Sequence, residues 1–378
     1  MSSAPWLNYG RQSIVEQDIA AVAEVLRGDW LTTGPAVEAF EKALAQVAGA
    51  PAVSVTSGTA ALHAAYGGLG LGPSDEVVTT PITFVATASC AAQLGAKIRF
   101  ADVCEDTLNI DPAAVAAELT PQTAVVAGVD YGGHPIDIDA LRPLCDSVGA
   151  LLLEDAAHSI GGTYQGRPVG SLADITTLSF FPTKNLTTAE GGAIVSPDED
   201  VLRRIRRFAR IGMVRAKDEL QHPDEGDWWY EVPEFGLNYR LPDVLCALGT
   251  SQLTRLPSFV SRRAELVARY NTLLADLDGL RLPVQREGVD PAWHLYAVRV
   301  LGGRRREVFD KMRASGIGVQ VNYIPVYWHP VFAEAGYQRG LCPVAEQAYS
   351  ELISLPLYAD LTDSEQDRVV DTLRGILG

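Results

Sequence analysis

A chain of 378 residues is long for a single core, so a large domain with a smaller companion is expected. Its 47% hydrophobic and 21% charged residues exclude a disordered or low-complexity chain. A net charge of −16 excludes a general affinity for nucleic acid, which needs clustered Lys and Arg, while leaving room for one nucleotide in a local basic pocket.

The segment MSSAPWLNYGRQ lacks a charged and apolar leader, and no apolar run reaches membrane-spanning length, so a cytoplasmic protein with no membrane partner is expected. From residue 18 to 26 the apolar positions recur at helical spacing. After the GDWLTTGP turn a second helix is predicted through Val37, Phe40 and Leu44. A strand over residues 52–55 then opens into SGTAALHAA. The runs EVVTT, KIRFADV, AVVAGVDY, ALLLEDAA, ITTLSFF and GGAIVS follow as strands between helices, the pattern of a three-layer α/β domain. The GGLGLG run at residues 67–72 follows a helix instead of joining a strand to one, so it reads as a turn and not as a dinucleotide loop.

Past Leu241 the rhythm changes. A long helical stretch, SQLTRLPSFVSRRAELVARYNTLLADL, precedes strand candidates WHLYAVRVL and GVQVNYIPV, with the helix RREVFDKMRAS between them. This predicts a smaller α+β unit, with the division at residues 1–245 and 246–378. Cys90, Cys104, Cys145, Cys246 and Cys342 are scattered without C-x-x-C spacing, and read as buried thiols instead of a metal site.

Three short elements carry chemistry. Ser57, Gly58 and Thr59 stand between a strand and a helix, where free N–H groups and the helix dipole suit a phosphate. A plain N-cap would use the same residues. The strand LLLED ends in Glu154 and Asp155, with His158 three residues later; a carboxylate at a strand's carboxyl edge sits where α/β folds bind ligands, although a loop acid would look alike. In SFFPTKNLTTAEGG, Ser179 and Lys184 lie on a strand-to-loop passage. A lysine there is either solvated or, if burial favours its neutral amine, a nucleophile.

In their order of phosphate seat, aromatic Phe84, acid and lysine, these motifs resemble the DegT/DnrJ/EryC1/StrS family of sugar aminotransferases. The resemblance runs from WLTTGPAVEAFE through SGTAALHAA, EDAAHSIGG and SFFPTKNLTTAEGG to FGLNYRLPDVLCALGTSQL and YIPVY. It implies the aspartate-aminotransferase-like fold (PLP fold type I), with a three-layer large domain and a smaller C-terminal α+β domain. It also implies pyridoxal 5'-phosphate as cofactor. Lys184 matches the lysine that forms the imine with the cofactor, and Asp155 the partner of its pyridinium nitrogen. Phe84 matches the ring that stacks on the pyridine face, and His158 the position near the ring hydroxyl. Ser57, Gly58, Thr59 and Ser179 match phosphate contacts, and Asn238, in G-x-N-Y-R, reaches that phosphate from the other subunit of a homodimer with shared sites.

Within the family, VDYGGHPIDID, with Asp130 where many relatives carry a histidine, is similar to the aminotransferases of pseudaminic acid pathways. That subgroup implies C4 amination of a UDP-linked 4-keto-6-deoxy-N-acetylhexosamine, with glutamate as donor. Trp30, Arg240, Tyr323, Tyr327 and His329 match the sugar site, although aromatic residues in such loops also serve packing. An aminotransferase for another keto-sugar or a keto-cyclitol is the nearest alternative. A non-catalytic regulatory protein would be expected to show damage at Lys184, Asp155 or the phosphate seat, and none is visible.

Overall fold

The computed structural model describes residues 5–378. Helices α1 (Glu16–Arg27) and α2 (Pro35–Ala48) come first; α2 begins on Pro35 and ends at Gly49 in the left-handed conformation, φ 76°. Strand β1 (Ala52–Val55) opens into α3 (Gly58–Leu69), followed by β2 (Glu76–Thr79), α4 (Ala86–Gln93), β3 (Lys97–Phe100), α5 (Pro112–Glu118), β4 (Thr123–Val129), α6 (Ile138–Val148) and β5 (Leu151–Asp155). A short hairpin, β6 (Thr163–Tyr164) and β7 (Arg167–Pro168), leads to β8 (Ile175–Ser179), β9 (Gly192–Val195) and α7 (Glu199–Ala209).

Seven of these strands form one sheet in the order β1-β9-β8-β5-β4-β2-β3. All neighbours are parallel except β9, which runs antiparallel to β1 and β8. Buried cores lie on both faces, which is why the strands read as continuous apolar runs. Each strand expected between residues 52 and 196 is present, and the GGLGLG run is the end of α3, capped by Gly70 at φ 77°.

The chain crosses into the smaller unit along α8 (Asp243–Leu274), one helix of 32 residues. Its first part packs against α1 and α2, whereas Leu266, Val267, Tyr270 and Leu274 belong to a second core. The expected division at 245/246 falls in the first turn of this helix. Further along α8, the buried Arg263 guanidinium binds the carbonyls of Trp293, His294 and Leu357 at 3.1–3.3 Å. Leu7 also lies in the second core, its N–H bonded to the Gly316 carbonyl, so the N-terminal segment straps the two units together.

Beyond α8 come β10 (Leu280–Arg281), β11 (Val289–Asp290), β12 (Tyr296–Val300), α9 (Arg305–Ala314), α10 (Pro330–Glu334), α11 (Pro343–Glu351), β13 (Leu352–Leu355) and α12 (Asp363–Leu377). The small sheet is β10-β12-β13, and β11 pairs back onto β6. Here the expected strand GVQVNYIPV is corrected. β13 takes the ladder beside β12, and residues 318–326 make only a single bridge, Gln320 to Ser354, before turning away with Pro325, which has no N–H to donate. That turn brings Asn322 and Tyr323 to the wall of a cavity. Among the described residues no helix is long and apolar enough to cross a membrane.

Candidate active site

The carboxyl ends of β4, β5 and β8 open onto a cavity of about 440 Å³, walled by the start of α3, the first turn of α4 and the turn at Tyr323. Ligands bind at this edge in open α/β sheets. Ser57, Gly58, Thr59, Phe84, Asp155, His158, Ser179, Lys184 and Tyr323 all line it.

At one end, Ser57 caps α3, its hydroxyl accepting the Ala60 N–H at 3.0 Å. The plain N-cap reading therefore holds, and it is compatible with the other one. As the first residues of the helix, Gly58 and Thr59 have no carbonyl in a preceding turn for their N–H groups, which remain free for an anion. A Cβ on Gly58 would come within 2.8 Å of the Ser179 Cβ, so glycine keeps this seat open.

Asp155 ends β5 and is buried. Burial raises its pKa, opposed by the Thr87 hydroxyl at 2.7 Å, the Ala157 N–H at 3.3 Å and the charge of Lys184. Thr87 Oγ1 is also 2.8 Å from Thr83 Oγ1. Lys184 follows the β8 strand, its N–H held by the Phe181 carbonyl at 2.9 Å. Burial lowers its amine to a pKa of about 8, only partly offset by Asp155. Near-neutral amines of this kind attack aldehydes.

His158 stands beside them, with Nε2 3.1 Å from the Tyr323 hydroxyl and its ring 4.4 Å from that of His294 at a 40° tilt. Burial, reinforced by Lys184, holds both imidazoles well below the usual range, and so neutral. Their Nδ1 atoms, with Thr177 Oγ1, are buried polar atoms without a partner at the cavity. Such unpaired groups await a ligand. The phosphate seat at one end, the acid and the amine, and the unsatisfied donors between them fit pyridoxal phosphate.

The sugar-site expectations divide. Tyr323 is in the cavity wall, edge-on to Phe84 at 6.3 Å. Tyr327 is not: its ring packs in the core against Phe100 at 5.3 Å, and its hydroxyl donates to Glu346 at 2.6 Å. Trp30 is 57% exposed on the turn between α1 and α2, and His329 caps α10; neither lines the cavity. Asn238 and Arg240 lie outside it as well, bridged to Arg210 and Val55. Sequence reasoning missed Thr87, His294, Tyr9 and Thr183, all near or in the wall. PITFVAT contained Thr87, and the signal for His294 was an imidazole at the mouth of the strand candidate WHLYAVRVL.

Residues 12–374 match the DegT/DnrJ/EryC1/StrS aminotransferase family. The chain belongs to that family. This sugar aminotransferase is 39% identical to the spore coat polysaccharide biosynthesis protein SpsC of Bacillus subtilis (strain 168), over 98% of its own length and 97% of the relative's. Among solved structures it is similar to Spr1654 of Streptococcus pneumoniae in its PMP-form, at 29% identity and a TM-score of 0.92 over 98% of each chain; Spr1654 is also solved in a PLP-form. It is similar too to Helicobacter pylori PseC, an aminotransferase involved in the biosynthesis of pseudoaminic acid. There identity is 28% and the TM-score 0.92, over 98% of this chain and 99% of that one. The aminotransferase depends on pyridoxal phosphate, as its family membership and the PLP- and PMP-forms of Spr1654 support.

Proposed function

We propose that the enzyme moves an amino group from glutamate to C4 of a UDP-linked 4-keto-6-deoxy-N-acetylhexosamine. The observation that carries the chemistry is the meeting of Lys184, Asp155 and the α3 N-terminus in one cavity. The sugar is supported by the VDYGGHPIDID segment and by the likeness to PseC across nearly the whole chain.

When bound, pyridoxal phosphate supplies an aldehyde to take up the amine and a ring that withdraws the electron pair left as the α-proton departs. Ser57, Gly58, Thr59 and Ser179 hold the phosphate. Asp155, its carboxylate favoured by the Thr87 hydroxyl, would hold the proton on the ring nitrogen. Phe84 would cover the ring, and neutral His158, steadied by Tyr323, would serve the ring hydroxyl. Lys184 would be the point of attachment, and its amine is the group placed to carry the proton from the donor's α-carbon.

The working unit is a dimer with shared sites. Phe235 is 98% exposed and Trp228 75%, on the segment leading to Asn238 and Arg240, and these apolar side chains suit a second copy. Asn238 would then reach the partner's phosphate seat. The test incubates the protein with a panel of nucleotide keto-sugars and glutamate, and assigns the aminated carbon by NMR. A single 4-amino-N-acetylhexosamine supports the reading; turnover confined to a cyclitol or a 3-keto sugar overturns it.

A further inference from the structure

Behind the strand end that carries Asp155 lies a second pair of acids that transamination does not use. Asp130 directly follows β4, and Glu154 is in β5; both are fully buried. β4 and β5 are parallel neighbours with Gly128 opposite Glu154 and Val129 opposite Asp155. Side chains alternate along strands, so Glu154 and Asp130 share the face opposite to that of Asp155.

Their hydrogen bonds leave one gap. Asp130 Oδ1 accepts the Ile136 N–H at 2.9 Å, and Oδ2 accepts the Ser159 hydroxyl. Glu154 Oε2 accepts the Thr176 hydroxyl at 2.9 Å and the Gly170 N–H also favours the carboxylate, while Oε1 is buried with no partner at hydrogen-bonding geometry. The charges acting on the pair are each other's and that of Asp155, all negative. On the segments packed around them, His134, His158 and Tyr131 are held neutral by burial. Arg167 and Asp174, flanking the nearby Gly170, pair with Asp139 and Arg142.

Two close carboxyls in a dry site without a cation cannot both ionise. We propose that Asp130 and Glu154 hold one proton between them, and that this acid–carboxylate pair positions the 155–159 turn, setting Asp155 and His158 at the cavity. The proton supplies the donor that Glu154 Oε1 lacks. Asp130 is tied to the turn at both ends, through Ser159 and through its own N–H, which donates to the Asp155 carbonyl at 3.1 Å. The shared proton also leaves one negative charge behind Asp155 in place of two. It belongs to the pair, not to one acid.

Folding raises the pKa of both acids, so their contribution is complete at acid pH and is lost as pH rises through the pair's raised folded range. Only the effect of the single charge on Asp155 rests on the proposed function. The test uses the cofactor-loaded protein and infrared spectroscopy just below neutral pH. Wild type should show the carbonyl stretch of a protonated carboxylic acid, absent in Glu154→Gln and in Asp130→Asn, and Glu154→Gln should flatten the decline of thermal stability with rising pH. Glu154→Gln keeps a donor toward Asp130 and should bind cofactor like wild type, whereas Glu154→Leu leaves Asp130 without one and should weaken binding about tenfold. No acid band in wild type, a band surviving in both amide variants, or equal binding by the Gln and Leu variants would overturn the proposal. None of these readings requires turnover, so they fail separately from the sugar assignment.

Discussion

The Thr87 hydroxyl donates to Asp155 Oδ2 at 2.7 Å, tying the first turn of α4 to the end of β5. The bond favours the ionised carboxylate against the desolvation that raises its pKa. Thr87→Val should therefore raise the Asp155 pKa further, moving the acid limb of the pH–rate profile to higher pH and lowering turnover about tenfold. Asp155→Asn should fold and bind cofactor, yet slow the half-reaction with glutamate about a hundredfold or more, since a neutral amide cannot hold the ring proton. Stopped-flow measurement of that half-reaction checks both, and unchanged rates in Asp155→Asn would assign the ring nitrogen to another group.

Lys184 has a depressed pKa of about 8 in the cofactor-free protein. The neutral amine is the attacking form, so the rate of cofactor attachment should climb with pH, about tenfold per unit below 8, and level off above it. Absorbance after mixing the apoprotein with pyridoxal phosphate gives the curve. A rise continuing to pH 10.5 would show an ordinary solvated lysine.

Gly58 faces Ser179 so closely that an added Cβ would sit 2.8 Å from its Cβ and 3.0 Å from its Oγ. Gly58→Ala should lower the apoprotein's melting temperature by a few degrees, because the added Cβ must push Ser179 aside, and should weaken cofactor binding about tenfold. Affinity and melting curves separate the two effects. A large fall in stability with intact affinity would make Gly58 a packing residue and not a phosphate seat.

Much of this was readable beforehand because the large domain's strands are apolar runs buried on both faces, and because Ser57, Asp155 and Lys184 sit at strand ends in a recognisable order. The smaller unit was less readable. The segment 318–326 has strand composition, but the ladder beside β12 is taken by Leu352–Leu355, which follows α11 with no intervening turn. Tyr327 shows the same limit. An aromatic in a substrate-like loop carries no mark of direction, and here Glu346 and Phe100 draw it into the core. Pairings such as His158 with His294, 136 residues apart, depend on the fold.

The proposed shared dimer site makes a quantitative expectation. Lys184→Ala, mixed with an inactive Asn238→Ala/Arg240→Ala variant, should regain activity, because one site of each mixed dimer combines an intact lysine with an intact crossing segment. Random exchange in equal amounts should restore about a quarter of wild-type activity. No recovery, with exchange verified by native mass spectrometry, would mean self-contained sites.

The assignment of Lys184 is open to direct measurement, since the chain has only five lysines, and Lys42, Lys97, Lys217 and Lys311 are all exposed, the second and fourth in ion pairs. Borohydride reduction of the cofactor-loaded protein, followed by peptide mass mapping, should place the cofactor's mass on the SFFPTKNLTTAEGG segment alone, with loss of activity in step with labelling. A label on any other lysine, or full activity after complete labelling of Lys184, would contradict the account.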